Sequence, residues 1–245
     1  MRRIQACLAL LLVAGAAPGA PIDDIRFEAW GRRELSYLER PSYYLGRAEL
    51  LALPVPPPPP NSATSTRREL DELLRLQADR TRAEERSIRA HRDYASVCSA
   101  LIAAADRDWR RAPKTRALLQ HVEADASLAV FHAKRRFNRA RPHQLETRLL
   151  PSIAVPAHPA YPSGHALQGH LVSRVLASIA PDHREALTAL GERIGREREI
   201  AGLHYPSDSA ASRALGDALL SLLEKNPKFV RELEAARAEW RSEGL

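Results

Sequence analysis

The stretch TRALLQHVEADASLAVFHAKRRFNRA, residues 115–140, decides the fold. Its apolar residues Leu118, Leu119, Val122, Ala126, Ala129, Val130 and Ala133 recur every three or four positions, the spacing of one helix face. The spacing predicts a helix over 115–140, stopped by Pro142, because proline lacks an N–H and clashes with the preceding turn. The same period extends outward on both sides. Upstream, Ser65 or Thr66 is placed to cap a helix carrying Leu70, Leu73, Leu74 and Leu76, and a second helix fits Arg86 to Ala105 before Pro113. Downstream, a loop with four prolines, Pro151 to Pro162, precedes helices over 164–179, 183–200 and 207–224, and a last one near Lys228 to Arg241. No alternating β-branched segment competes. The expected fold is all-α, a single-domain helical bundle over 61–245. Ahead of it, residues 21–60 end in the run Pro56 to Pro60 and are expected as an extended Pro-rich arm of polyproline II character. Packing along its own domain is the simpler fate for that arm; a ligand for a proline-binding module is the alternative.

The chain of 245 residues is 44% hydrophobic and 27% charged, enough to bury a substantial core. Its 18 Pro, 11 Gly and 2 Cys exclude a collagen, a disordered tail and a disulfide scaffold. One apolar run exists, at the N-terminus, which excludes a polytopic membrane protein. Residues 1–20 read as a secretory signal peptide: Arg2 and Arg3, an apolar core from Ile4 to Val13, then the A-x-A site Ala14-Gly15-Ala16. The run is shorter than the roughly 17–25 residues needed to span a bilayer. Its removal takes the formal charge from +7 to +5 and leaves Cys98 as the single thiol, expected as a small buried hydrophobe. The expected localisation is periplasmic or secreted, with no membrane attachment after signal removal.

Three patches carry chemistry. The first, Lys134 to Pro142, holds five cations in eight residues, with Lys134 and Arg141 seven apart and therefore on one face of the predicted helix. Alone, such a run reads as a solvated basic face, or as a nucleic-acid contact. The second is Tyr161-Pro162-Ser163-Gly164-His165 at a helix start, where free N–H groups and the helix dipole make an anion site. In the third, Arg198 to Asp208, His204 precedes a helix start and Asp208 lies four residues on. Asp208 can accept from His204 Nδ1–H, fixing the tautomer that leaves Nε2 with a lone pair; a His–Asp pair that merely caps a helix is the alternative. Cations, a helix N-terminus, two imidazoles and a carboxylate are what phosphoryl transfer requires. No metal is demanded, since Lys and Arg supply the positive charge, and no cofactor is expected.

In this order, Lys-x6-Arg-Pro, Pro-Ser-Gly-His and Arg-x5-His-x3-Asp resemble the tripartite signature of the type 2 phosphatidic acid phosphatase superfamily. Bacterial class A non-specific acid phosphatases are similar over more of the chain, through Leu53-Pro-Val-Pro-Pro-Pro-Pro-Pro, Tyr161 and the tail Asn226-Pro-Lys-Phe229. The resemblance implies an acid phosphatase that hydrolyses phosphomonoesters through a phosphohistidine intermediate. It implies His204 as nucleophile, Asp208 orienting it, and His165 as general acid and then base. Lys134, Arg141, Ser163, the Gly164 N–H and Arg198 would bind phosphoryl oxygens. The chain departs from the pattern at Glu197, where the family has Ser; a carboxylate there either competes for Arg198 or faces away.

The expected partners are small phosphomonoesters rather than nucleic acid, with a homo-oligomer left open. Alternatives are a vanadium-dependent haloperoxidase on the same scaffold and, from another class, a non-catalytic anion- or nucleic-acid-binding protein. The other histidines are expected as surface or core residues, with His143 beside Pro142 the first candidate for an exception.

Overall fold

A computed structural model describes residues 21–242; the signal-peptide reading of residues 1–20 lies outside them. The described helices are α1 (Arg32–Ser36), α2 (Arg47–Leu51), α3 (Thr64–Asp79), α4 (Arg82–Ala90), α5 (Tyr94–Ala103), α6 (Pro113–Phe137), α7 (Pro142–Leu145), α8 (Gly164–Ile179), α9 (Arg184–Ile200), α10 (Pro206–Leu223) and α11 (Pro227–Ser242). Among the described residues the fold is all-α, with one isolated β-bridge between Arg26 and Arg139.

Three expectations change in detail. Residues 86–105 form not one helix but parts of two, because Asp93 caps a new start by accepting from Ser96 N at 2.9 Å. Thr81 caps α4 reciprocally with Glu84. The helix expected to be capped by Ser65 or Thr66 instead begins at Thr64 after Ala63, and the Thr66 hydroxyl donates to Pro60 O at 2.7 Å. Finally, residues 21–60 are not extended throughout: they include α1 and α2, and Leu38, Tyr44, Leu45, Leu50 and Leu53 are buried in the main core. The proline run itself is non-helical and lies against the domain, with the Tyr161 hydroxyl donating to Pro56 O at 2.5 Å.

Helix α8 is the hub, packed on α9, α10, α5 and α6. It carries the Gly164-His165 start, while α9 and α10 flank the other motif, so their packing sets the site. The α8–α9 crossing is close because Gly169 and Gly191 face each other: a Cβ on either would lie 2.5 Å from the other's carbonyl oxygen. Backbone cannot yield there as a flexible side chain could. Gly169→Ala is therefore expected to lower stability by about 1–3 kcal/mol, read as a lower urea midpoint at unchanged m; an unchanged midpoint would show that the crossing tolerates separation. Cys98 is fully buried, as expected.

Candidate active site

Local backbone rules bring the motif residues together. Helix α6 ends three residues earlier than its apolar period suggests, at Phe137, because Asn138 takes a left-handed conformation (φ 46°, ψ 38°) that Asn tolerates. Lys134 and Arg141 thus do not share a helical face. Lys134 is the last buried residue of α6, and Arg141 reaches inward from the chain that follows, as does Arg139. At the end of α9, Gly202 (φ +74°) closes a Schellman turn: its N–H donates to Glu199 O at 2.8 Å, and Leu203 N–H to Arg198 O at 3.0 Å. That turn locks His204 relative to Arg198, six residues earlier.

The result is a cavity of about 860 Å³ whose wall includes Lys134, Gly164, His165, Arg198 and His204. His204 Nδ1 lies 3.0 Å from Asp208 Oδ2, and Arg141 Nη1 lies 3.1 Å from His204 Nε2. A carboxylate can only accept and a guanidinium only donate, so His204 carries its proton on Nδ1 and keeps its Nε2 lone pair. Burial and the charge of Arg141 hold the His204 imidazolium pKa well below the usual histidine range, so the ring is neutral. Burial would raise Asp208, but Arg139 at 2.6 Å, His204 and the Tyr205 N–H outweigh it and hold the carboxyl at about 2. His165 has Nε2 3.2 Å from Arg92 O, which requires a proton on that nitrogen; burial and Arg198 push its pKa down to about 3.

The cations differ in what they can offer. Arg198 donates to Ile88 O at 2.9 Å, while its buried Nε has no partner, an orphan donor on a residue of the cavity wall. Lys134 Nζ is surrounded by the carbonyl oxygens of Pro159, Ala160 and Pro162 at 2.9, 3.0 and 2.5 Å. All three of its protons are engaged, so it braces the loop before α8. Burial and the nearby Arg141 hold the Lys134 pKa well below its ordinary value. Ser163 is buried off the cavity wall, its Oγ capping α8 by accepting from Ala166 N at 3.4 Å. Nothing lies within 4 Å of the place a Gly164 Cβ would take, so the helix start is open there. Glu197 does not take Arg198 as its main partner. Its carboxylate accepts from Ser87 Oγ at 2.6 Å and pairs with His91 Nδ1 at 2.8 Å, with Arg198 Nη2 more distant at 3.4 Å.

Two residues were not anticipated. Arg139, read as part of a basic run, is buried between Asp208 and Glu69 and stacks on the Tyr205 ring at 3.8 Å. His158, rather than His143, lines the cavity, with Nδ1 3.0 Å from Arg141 Nη2. No spacing rule links His158 to the motifs. Its adjacency to the Pro159–Pro162 loop was the only available signal.

Among proteins of known name, the chain is 30% identical to a non-specific acid phosphatase of Providencia stuartii over 134 residues, 53% of this chain and 54% of that protein. It is 35% identical to one of Salmonella typhimurium over 80 residues, 33% of this chain and 32% of that one. The chain thus spans about half the length, or less, of these relatives. In structure it is similar to a bacterial vanadium-dependent iodoperoxidase (TM-score 0.63, 16% identity, 82% of this chain and 61% of that one). A bacterial vanadium-dependent chloroperoxidase is similar too (TM-score 0.60, 12% identity, 82% and 55%); at these identities the likeness concerns the fold. Residues 120–227 match the PAP2 superfamily, and they contain the cationic segment, the Gly164 helix start and the His204–Asp208 pair that meet around the cavity. By that match and that geometry together, the segment 120–227 is similar to the PAP2 superfamily.

Proposed function

We propose that the protein is an acid phosphatase that hydrolyses small phosphomonoesters through a phosphohistidine on His204. The observation that carries this reading is the arrangement around His204: a neutral imidazole with Nδ1 on a buried carboxylate and Nε2 facing a guanidinium at the edge of a cationic cavity. A helix cap needs the His–Asp pair alone; it does not need buried Arg141 and Arg198 beside it. The bacterial acid phosphatases to which the chain is similar support the same chemistry.

In the proposed reaction, the substrate phosphoryl group sits against Arg198 and the α8 N-terminus, drawing Arg141 Nη1 from Nε2 onto a phosphoryl oxygen. Nε2 attacks phosphorus in line, the P–O ester bond breaks, and His165 gives its proton to the departing alkoxide. Now neutral, His165 takes a proton from water; the water oxygen attacks phosphorus, the P–N bond breaks, and phosphate leaves. The low pKa of His165 arises from burial and Arg198. A bound phosphate dianion offsets those cations, so binding itself favours the protonated acid. Charge on the equatorial oxygens is met by guanidinium groups and helix dipole in this scheme, with Lys134 acting through its charge and its hold on the loop. A periplasmic or secreted location is proposed on residues 1–20; among the described residues no helix is long and apolar enough to cross a membrane.

The test is hydrolysis of 4-nitrophenyl phosphate combined with rapid quenching. The enzyme should release nitrophenolate and hold an acid-labile, alkali-stable phosphoryl group. Halide oxidation after vanadate loading, with no ester cleavage, would transfer the reading to the haloperoxidase alternative; salt-dependent DNA binding with no turnover of any phosphate ester would favour a binding protein.

A further inference from the structure

The cavity is far larger than a phosphoryl group requires, and falls in the size range of sites that enclose a small organic ligand. Helix α6 lines it with one stripe, from Lys134 at the cationic end through Phe131, Val130 and Ser127 to Glu123. From α8, His165 and Gln168 both reach the wall, so Gln168 stands about one helical turn, roughly 5 Å, beyond the proposed general acid. Gln168 Nε2 donates to Glu123 Oε1 at 3.1 Å, and Ser127 Oγ donates to the same oxygen at 2.6 Å. Glu123 Oε2 is left without a hydrogen-bond donor among the described residues. Gln168 Oε1 beside it is buried and unpartnered. The lining includes Val130, Leu167 and the Tyr37–Phe131 stack, with ring centroids 4.3 Å apart; its arginines Arg33, Arg89 and Arg92 donate to neither oxygen.

A buried amide oxygen without a donor, beside a carboxylate that lines the cavity with one oxygen uncommitted, calls for a ligand that brings a donor. We propose that Glu123 and Gln168 form a leaving-group subsite that favours phosphomonoesters whose alcohol carries a hydroxyl or ammonium about one helical turn from the phosphoryl group. The subsite rests on the phosphatase reading for its name but not for its ligand chemistry. Alkyl chains of about four carbons span the gap, and the aromatic wall covers their methylenes. Burial pushes the Glu123 carboxyl up to about 7, so at pH 8 it is ionised and accepts only.

Calorimetric titration at pH 8 with butylphosphonate, 4-hydroxybutylphosphonate and 4-aminobutylphosphonate tests this, since phosphonates are not cleaved. Wild type should bind the hydroxy or amino ligand about tenfold or more tighter than butylphosphonate, the scale of a hydrogen bond to a charged group. Glu123→Leu should bring the three within about twofold. The near-isosteric Glu123→Gln, which keeps the packing, should retain preference for the hydroxyl and lose it for the ammonium. Equal binding of all three ligands by wild type, or a preference that survives both substitutions, would overturn the subsite. Donor-dependent binding together with no hydrolysis of 4-nitrophenyl phosphate would support the subsite while removing the phosphatase reading.

Discussion

Replacing His204 by alanine is expected to lower kcat/KM for 4-nitrophenyl phosphate by roughly 10⁴–10⁶, the range seen when a covalent nucleophile is removed. Neither of the other imidazoles in the cavity wall is paired with a carboxylate as His204 is with Asp208: His165 has Nε2 on Arg92 O, and His158 has Nδ1 between Arg141 and Pro159 O. What remains is electrostatic: Arg141 and Arg198 can still polarise the ester, so a residual rate above that in water is expected. The quenched phosphoenzyme should vanish with activity. A rate within tenfold of wild type, in a variant whose thermal unfolding is cooperative, would rule out His204 as the attacking group.

The second large effect is expected from Asp208→Asn, which keeps the shape and removes the charge. An asparagine oxygen can still accept from Nδ1–H, but its amide can also donate and so stabilise the tautomer with the proton on Nε2, where no attack is possible. The corresponding change in a serine-protease triad lowers kcat about 10⁴-fold, and a fall of roughly 10³–10⁴ is expected here. Stability should drop too, by about 3 kcal/mol, because Arg139 loses a buried carboxylate at 2.6 Å. The pH dependence separates the two causes. Asp208 is held at about 2, below its ordinary 3.8, so its stabilisation is complete above the unfolded value and is lost as pH falls toward 2. The gap in urea midpoint between wild type and Asp208→Asn should therefore be constant from pH 7 to 5 and narrow below pH 4. A gap that stays open to pH 2 would mean the ionised carboxylate is not what stabilises the fold.

Much of the site was legible because its chemistry is written at short range. The His204–Asp208 pair is a four-residue relation across a helix start, and Pro206 at the first position of α10 marks that start. The Ser163-Gly164 start of α8 is likewise a local cap. Arg141 could be named from its motif, but the reason given by helical phase did not hold, since a single left-handed residue at 138 ended α6 first. Periodicity reports which face is apolar; it does not report where a side chain that can stabilise a left-handed turn will use it.

Side chains whose partners lie far along the chain were not legible. Arg139 looks like its neighbours Arg135 and Arg136 until Glu69 and Asp208 are brought beside it, 70 and 69 residues away. Lys134 looks like a phosphate ligand until three loop carbonyls close around it. Glu197 poses a question that Ser87 and His91 answer from another helix, and Glu123 gains meaning only opposite Gln168. Helix period, caps and the His–Asp spacing are set by backbone geometry over a few residues, so the linear order of amino acids was enough for the class of fold and for the pairing of His204 with Asp208. Which cation faces a ligand, which one holds a loop and how the cavity is lined depend on desolvation and on neighbours supplied by other helices. Those were decided only when the helices packed.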